Sequence, residues 1–282
     1  MKRLIAIEYY KNLTYRPFKI FTTLYFITLI ALLFIGLIDI KFSEGFEINL
    51  KDQGIYNFPE IWNFTTWIVA LLKIFLGLII VFSICQEFTN RMFKQNTIDG
   101  LSREEFIGSK LLTIFIFTFI STLIVFGITL AIGLSYSEST QSDLIFKEIF
   151  FIGHYFLKLF TFFSFLMFLS ILLRKSIFVL LASFMWWIAE AIFGGIESYS
   201  KFKGLNNEQA ASVMHDSFFI SKILPLESMS QLIPNPVMRL KAMKIFGVPY
   251  KFEYPTESVI ACIFWCVLFV YGSYYILKKR DW

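Results

Sequence analysis

Charged residues are scarce in this sequence, and long polar stretches are scarcer still. Only 17% of its 282 residues are charged, against roughly 25% in an average soluble protein. By contrast, 57% are hydrophobic and 20% are aromatic. The length is taken up by apolar runs that are long enough to cross a bilayer. The sequence therefore predicts an all-α membrane protein, with one transmembrane domain over residues 1–282.

Motifs of common enzymes are also missing. No Gly-Lys dipeptide occurs, which excludes a phosphate-binding P-loop and ATP hydrolysis by that route. His154 and His215 form no His-Glu-x-x-His array, no Gly-x-Ser-x-Gly sequence occurs, and no aspartate lies inside an apolar run. We therefore expect no catalytic residue, no metal site and no cofactor bound by this chain.

Cysteines and basic blocks are too few to indicate a metal or a nucleic acid. Cys85, Cys262 and Cys266 lack the spacing of metal ligands, and we interpret them as reduced packing residues. The net charge of +5 comes from Lys and Arg spread along the chain. This distribution is typical of membrane topology signals rather than of nucleic-acid binding.

Six apolar runs are long enough to span a membrane as helices. They cover residues 18–38, 62–84, 107–134, 149–173, 177–196 and 258–277. Residues 1–16 carry apolar side chains at helical spacing beside a basic face, which predicts an interfacial helix. Pro17 then separates that helix from the first span.

The long segment 197–257 is too apolar to be a solvated linker. Turn signals at Pro225 and Pro236 predict two short helices, near residues 218–232 and 237–246. We expect both to be re-entrant or interfacial helices before the last span. The basic second helix could bind anionic headgroups or simply extend its charges to the membrane surface.

Basic residues are concentrated on one side of the predicted spans. The poorer side has three in its short loops, Lys41, Lys51 and Lys147. The richer side has fourteen: Lys2, Arg3, Lys11, Arg16, Lys19, Arg91, Lys94, Arg103, Lys110, Arg174, Lys175, Lys278, Lys279 and Arg280. The positive-inside rule makes this side cytoplasmic, so we expect both termini in the cytoplasm and residues 197–257 outside it.

A polar interruption between spans two and three, residues 85–108, predicts two helices joined by a sharp turn; we call it the elbow. Glu87 and Arg91 have the spacing of an i,i+4 ion pair, which favours a helix that continues past the membrane edge. Gly100, directly after Asp99, is typical of a helix stop.

The second half of the elbow carries a helix-start signal. Ser102 and Glu105 have the spacing of a capping box, and apolar residues follow them. This predicts a new helix that leads into span three. A charged connection between two spans is often only a solvated loop, and that alternative stays open alongside a role in docking another protein.

Four ionisable residues fall inside the predicted spans: Lys73, His154, Lys158 and Glu190. At 1.5 Å per helical residue, Lys158 and Glu190 lie at similar depths in adjacent spans, and Lys73 could also reach Glu190. We expect a Lys–Glu pair facing the bundle interior. Such a pair could be structural, or it could line a substrate path or gate.

These features together resemble the membrane subunit of an ABC-2 type ATP-binding cassette transporter. The resemblance rests on the basic N-terminal helix, the six spans, Glu87 at the end of span two, the Asp99-Gly100-Leu101-Ser102-Arg103 turn followed by Lys110, and the short helices before span six. The commoner form of the family has a Gly-Thr pair where this chain has Arg91-Met92, so the cargo stays open.

The resemblance implies an exporter subunit in a bacterial inner membrane. A second permease subunit and two ATP-binding cassette ATPase subunits would complete it, with ATP and Mg held by the ATPases and lipids around the spans. The elbow would contact the ATPase through Glu87, Arg91, Asp99, Gly100, Ser102, Arg103 and Glu105, or brace that contact.

Two other functions remain open from the residues alone. One is a membrane enzyme acting on lipid-linked substrates, with Glu227, His215 and Asp216 as acid–base candidates. The other is a channel lined by Lys73, Lys158 and Glu190. The substrate cannot be read from the sequence, although aromatic spans weakly favour a hydrophobic or amphipathic cargo.

Overall fold

Helices dominate the computed structural model, which describes residues 8, 15–34, 39–43, 46–49, 54–98, 100–206, 219–236 and 254–279. The helices are α1 (Arg16–Leu33), α2 (Glu60–Ala70), α3 (Lys73–Thr89), α4 (Met92–Ile98), α5 (Arg103–Tyr136), α6 (Ser142–Phe146), α7 (Phe150–Leu173), α8 (Ser176–Phe202), α9 (Pro225–Gln231) and α10 (Thr256–Lys279). A 3-10 helix covers Ile220–Ile223, and a two-stranded hairpin consists of β1 (Asp39–Ser43) and β2 (Phe46–Asn49).

Five helical segments are long and apolar enough to cross a membrane: α1, α5, α6 with α7, α8 and α10. Helices α2 and α3 pass the same test together, with a bend of 41° between them. Counting that bent pair as one span gives six. The predicted class, an all-α multi-pass membrane protein, is therefore confirmed, and the antiparallel hairpin between α1 and α2 is a small addition that the sequence did not predict.

The second span is not the single straight helix expected over residues 62–84. Helix α2 ends at Ala70 and α3 begins at Lys73. The backbone N–H groups of Leu71 and Leu72 bond to carbonyls only three residues back, over 3.1 and 2.9 Å. This tight 3-10 geometry interrupts the α-helical ladder and produces the bend.

Helix α7 is the centre of the bundle, and it packs against α2, α3, α5, α8 and α10. Its side chains Leu159 and Phe163 are fully buried. A cluster of hydroxyl groups adds polar contacts between three spans: Tyr25 on α1 bonds to Ser121 on α5 and, over 3.1 Å, to Tyr155 on α7. The remaining spans are thus arranged around α7.

Two predicted surface helices fall mostly beyond the described residues. Of the expected interfacial helix 1–16, only Glu8, Tyr15 and Arg16 are described, and the basic helix 237–246 lies outside the described ranges altogether. The expected break at Pro225 is confirmed, because a 3-10 helix precedes this residue and α9 begins with it.

Candidate functional site

The elbow turns earlier than its sequence predicted. Helix α3 ends at Thr89, and Arg91 adopts a left-handed conformation with φ of 56°. The expected continuous helix through Glu87 and Arg91 is therefore wrong. Helix α4 then forms a separate short arm, which one apolar side chain anchors: Phe93 is 2% exposed and lies edge-on to Phe106, with the ring centroids 4.7 Å apart.

The second turn of the elbow has the predicted geometry. Gly100 has φ of 89°, a conformation that glycine adopts without strain, and the N–H of Leu101 closes the end of α4 on the carbonyl of Asn96 over 2.9 Å. The capping box is complete: Ser102 Oγ accepts from the N–H of Glu105, and Glu105 Oε2 accepts from the N–H of Ser102. Asp99 lies outside the described residues.

Glu87 makes its ion pair with a residue that the sequence had not assigned to it. Lys110, on α5, donates to Glu87 and, over 2.5 Å, to Glu8 in the N-terminal segment. All three side chains are buried. Charges that are removed from water need close partners to remain stable. The cluster therefore joins the N-terminal segment, the end of span two and the start of span three.

Two further contacts fix the start of α5 to the last span. Arg103 Nη1 donates to the backbone carbonyl of Lys278 over 2.7 Å, and the hydroxyl of Tyr274 donates to Glu104 over 3.0 Å. The guanidinium of Arg174, in the turn between α7 and α8, lies over the ring of Phe88. The base of the elbow thus contacts several spans at one end of the bundle.

The tip of the elbow is open to solvent. Ile98, the last residue of α4, is 77% exposed, and Arg91 and Gln95 are exposed nearby. Ile98 is thus a large apolar side chain at the end of the arm, where a partner protein could reach it. It was not predicted as a site residue, although its place directly before the helix stop could have indicated it.

Inside the membrane region, Glu190 does not form the expected pair with a lysine. Its carboxylate accepts from the backbone N–H groups of Leu226 and Glu227, over 3.2 and 2.9 Å, and from the indole N–H of Trp186, over 2.6 Å. The first turn of α9 supplies backbone donors that have no partner within their own helix. Backbone N–H groups therefore bind Glu190 in place of the lysine ammonium group that was predicted.

A second glutamate, Glu197, holds the same segment. It was not predicted as a contact residue, because it stands at the boundary between the predicted span and the segment that follows. Glu197 accepts from the N–H groups of Ile220 and Ser221, each over 2.8 Å. It follows Glu190 by seven residues, two turns along one face of α8. This spacing in the sequence could have indicated that both carboxylates face, and bind, the same neighbouring segment.

The two lysines of the membrane region lie near each other. Lys158 is 6% exposed and interacts electrostatically with Lys73, Cys262 and Glu227. The ammonium of Lys73 lies 4.6 Å from the centre of the Phe162 ring. Among the described residues, neither lysine has a carboxylate within 4.0 Å. The expected intramembrane ion pair is therefore absent there.

A cavity of about 470 Å³ brings several of these groups together. Its polar lining residues are Lys73, Ser183, Glu190, Glu227 and Ser230. The remaining lining is apolar: Ile74, Gly77, Leu78, Phe162, Phe165, Leu166, Leu180, Phe184, Trp187, Ala191 and Leu226. The structure thus places Lys73 and Glu190 at one cavity, whereas Lys158 and His154 are not among its lining residues.

His154 connects α7 to the segments around it. Its Nδ1 lies 2.9 Å from the carbonyl oxygen of Leu232, and its Nε2 lies 3.0 Å from the hydroxyl of Tyr254. The ring is buried between these partners. This geometry positions the chain before the last span, at the end of the bundle opposite the elbow.

The acid–base candidates of the alternative enzyme reading are only partly described. Glu227 Oε1 accepts from the side-chain amide of Gln231 over 2.6 Å. His215 and Asp216 lie outside the described residues. No described contact joins Glu227 to a nucleophile, so the structure adds nothing that favours this reading.

Two protein-family models match this chain, and together they include the elbow and every span. Residues 4–190 match a family model described as ABC-2 family transporter protein, and residues 100–282 match a second model with the same description. A search of curated proteins found no match, and neither did a search of solved structures. Each family match covers more than half of the chain.

Proposed function

Since this chain belongs to the ABC-2 family of transporter proteins, we propose that it couples ATP hydrolysis by a separate subunit to export of a substrate. The chain is the membrane subunit of an ABC transporter. ATP and Mg are bound by the partner ATPase in this proposal. The elbow is the part of the chain that contacts that ATPase.

The observation that carries the proposal is the construction of the elbow. Its tip presents an exposed apolar side chain, Ile98, while Phe93 fixes the arm to the bundle. Interfaces concentrate their binding energy in a few apolar anchors surrounded by polar groups. A short arm that is rigid at its base and apolar at its tip therefore suits insertion into a groove on the ATPase.

The base of the elbow offers a route for movement into the membrane. Lys110 contacts Glu87 on α3 and Glu8 in the N-terminal segment, and Arg103 contacts the end of α10. A displacement of the elbow would therefore shift the ends of spans two, three and six together. Packed elements with such contacts move as units rather than deforming continuously.

The basic segments indicate how the chain is oriented in the membrane. The contacts of Glu8, the elbow, Arg174 and Lys278 gather the basic segments at one end of the bundle. The positive-inside rule would place this end in the cytoplasm. We propose a bacterial inner membrane, with both termini cytoplasmic, and a second permease subunit, identical or related, that completes the transporter.

Co-purification tests the proposed docking. The full chain, extracted in a mild detergent from its native membranes, should retain an ATPase subunit that contains a Walker A sequence. Replacing Ile98 with Gln should lower the retained ATPase by at least about tenfold, because truncating a hot-spot residue at an interface costs about 2 kcal/mol or more.

A matched control separates docking from general damage. Ile177 is also 77% exposed and lies at the same end of the bundle, at the start of α8, but it is outside the elbow. Ile177→Gln should retain the ATPase at the wild-type level. The proposal is overturned if no ATP-binding subunit associates with the wild-type chain, or if both variants retain it equally.

A further inference from the structure

We propose that the cavity between α3, α7, α8 and α9 binds an amphipathic anion, with its negative head group at Lys73 and its apolar chain along the aromatic wall. That this ligand is the transported substrate rests on the proposed function. Its binding does not, because the argument uses only the cavity.

Among the described residues, neither Lys73 nor Lys158 has a carboxylate within 4.0 Å, although Glu190 and Glu227 line the same cavity. Lys73 lines the cavity, and Lys158 is close enough to Lys73 for the two ammonium groups to repel each other. Their nearest described contacts are the Phe162 ring for Lys73 and the more distant charge of Glu227 for Lys158. Cations inside a membrane protein are costly without a partner, and this favours an anion from outside the chain.

The two acids of the cavity are already occupied. Glu190 accepts hydrogen bonds from three N–H groups, and two of them belong to the first turn of α9. Glu227 accepts from the amide of Gln231. Carboxylates with such donors are stabilised without a cation. The cavity therefore combines hydrogen-bonded acids with a lysine that has no carboxylate within 4.0 Å among the described residues.

The walls of the cavity suit a hydrocarbon chain. Aromatic and aliphatic side chains form most of its lining, among them Phe162, Phe165, Phe184 and Trp187. A volume of about 470 Å³ is within the roughly 300–1,000 Å³ of ligand pockets, which are mostly apolar with a few polar groups that orient the ligand. This lining disfavours a small hydrated ion.

The side of the cavity formed by α8 is exposed in the isolated chain. Val179 is the one buried residue of α8 among those described, and Phe184 and Trp187 are 55% and 56% exposed. A ligand with an acyl chain could therefore enter from the bilayer between α8 and the bundle. This access favours an amphiphile over a water-soluble anion, which would have to cross hydrocarbon.

Native mass spectrometry of the purified full chain in a non-ionic detergent tests the proposal. The probes are dioleoyl phosphatidic acid, dioleoylglycerol with the same chains but no phosphate, and inorganic phosphate. We expect phosphatidic acid to bind at least about tenfold more tightly than either of the others, since only it supplies both the charge and the chains.

Variants assign that binding to the cavity. Lys73→Gln should weaken phosphatidic acid binding by at least about tenfold, and Lys73→Arg should preserve it. Lys147→Gln, in the exposed turn between α6 and α7, should leave it unchanged. Ala191→Trp fills the cavity from the exposed face of α8 and should weaken phosphatidic acid binding even if Lys73→Gln does not fold.

Equal affinity for dioleoylglycerol overturns the proposed anion site, and equal affinity for inorganic phosphate overturns the proposed role of the chains. Unchanged binding in a folded Lys73→Gln variant, or in Ala191→Trp, overturns the location. The assay contains no ATPase and no nucleotide, so its failure is distinct from a failure of the co-purification with the Ile98→Gln variant.

Discussion

Lys110 on α5 and Glu87 on α3 form a buried ion pair, 23 residues apart in sequence, at the base of the elbow. The same ammonium group reaches Glu8 over 2.5 Å, so that one cation serves two carboxylates. Ser109 Oγ adds a longer hydrogen bond to Glu8, over 3.4 Å. The movement that we propose for the elbow passes through this cluster.

Lys110→Met should destabilise the protein strongly. The change removes the ammonium group that contacts the buried Glu8 and Glu87, and loss of one partner of a buried pair costs about 3–5 kcal/mol. Thermal unfolding of the purified chain in detergent measures the loss. Lys147→Met, at an exposed lysine, should unfold close to the wild-type temperature. Equal unfolding temperatures for wild type and Lys110→Met would contradict a stabilising role for the cluster.

Gly100→Ala and Gly108→Ala should change stability in opposite directions. A side chain at either position would meet no atom within 4 Å, so packing is not affected. Gly100 has φ of 89°, and alanine there costs about 1 kcal/mol or more, whereas alanine at the helical Gly108 should add about 0.4–1 kcal/mol. Chemical denaturation of the two variants measures both signs, and a stabilised Gly100→Ala variant would refute the left-handed turn.

Ser102→Ala removes the cap of α5. The expected loss is about 1 kcal/mol, because the N–H of Glu105 loses its acceptor. Amide hydrogen exchange should accelerate in the first turn of α5 and remain unchanged in the middle of this helix. Ser135, whose hydroxyl bonds to the carbonyl of Ala131 near the other end of α5, provides the control as Ser135→Ala. Similar exchange in the two variants at Glu105 would argue against the capping box.

Glu190→Gln should loosen the attachment of α9 to α8. A glutamine keeps one acceptor oxygen where the carboxylate has two, so the N–H groups of Leu226 and Glu227 cannot both be served as well. Loss of about 1.5 kcal/mol corresponds to hydrogen exchange at least about tenfold faster at these two amides. The exposed Glu257, at the start of α10, is the control as Glu257→Gln. Unchanged exchange would show that another contact fixes α9.

Local interactions in the elbow were predictable, and long-range ones were not. The Ser102 to Glu105 capping box spans three residues, so its geometry follows from the sequence alone. The predicted pairing of Glu87 with Arg91 was wrong, because the i,i+4 rule assumes a continuous helix and the chain turns at Arg91. No sequence rule connects Glu87 to Lys110 until the packing of α3 against α5 is known.

The sequence could not predict which neighbour a charged side chain faces inside the bundle. Counting residues placed Glu190 and Lys158 at similar depths, yet the rise per residue says nothing about which neighbour a side chain faces. The residues that Glu190 contacts, Leu226 and Glu227, come 36 and 37 positions later in the chain, in a segment that folds back onto α8. Short non-spanning helices have weak periodicity. Pro225 therefore predicted where α9 begins, but the sequence did not predict which helix α9 packs against.

The bend of 41° between α2 and α3 divides the second span into two halves with different attachments. Helix α2 is pinned by Trp62, whose indole donates to the carbonyl of Ile145, and by Asn63, whose amide donates to that of Pro234. Helix α3 is attached to the elbow through Glu87. A continuous helix would transmit a tilt of one end to the other. The break in the hydrogen-bond ladder would instead allow α3 to tilt with the elbow while α2 keeps its contacts.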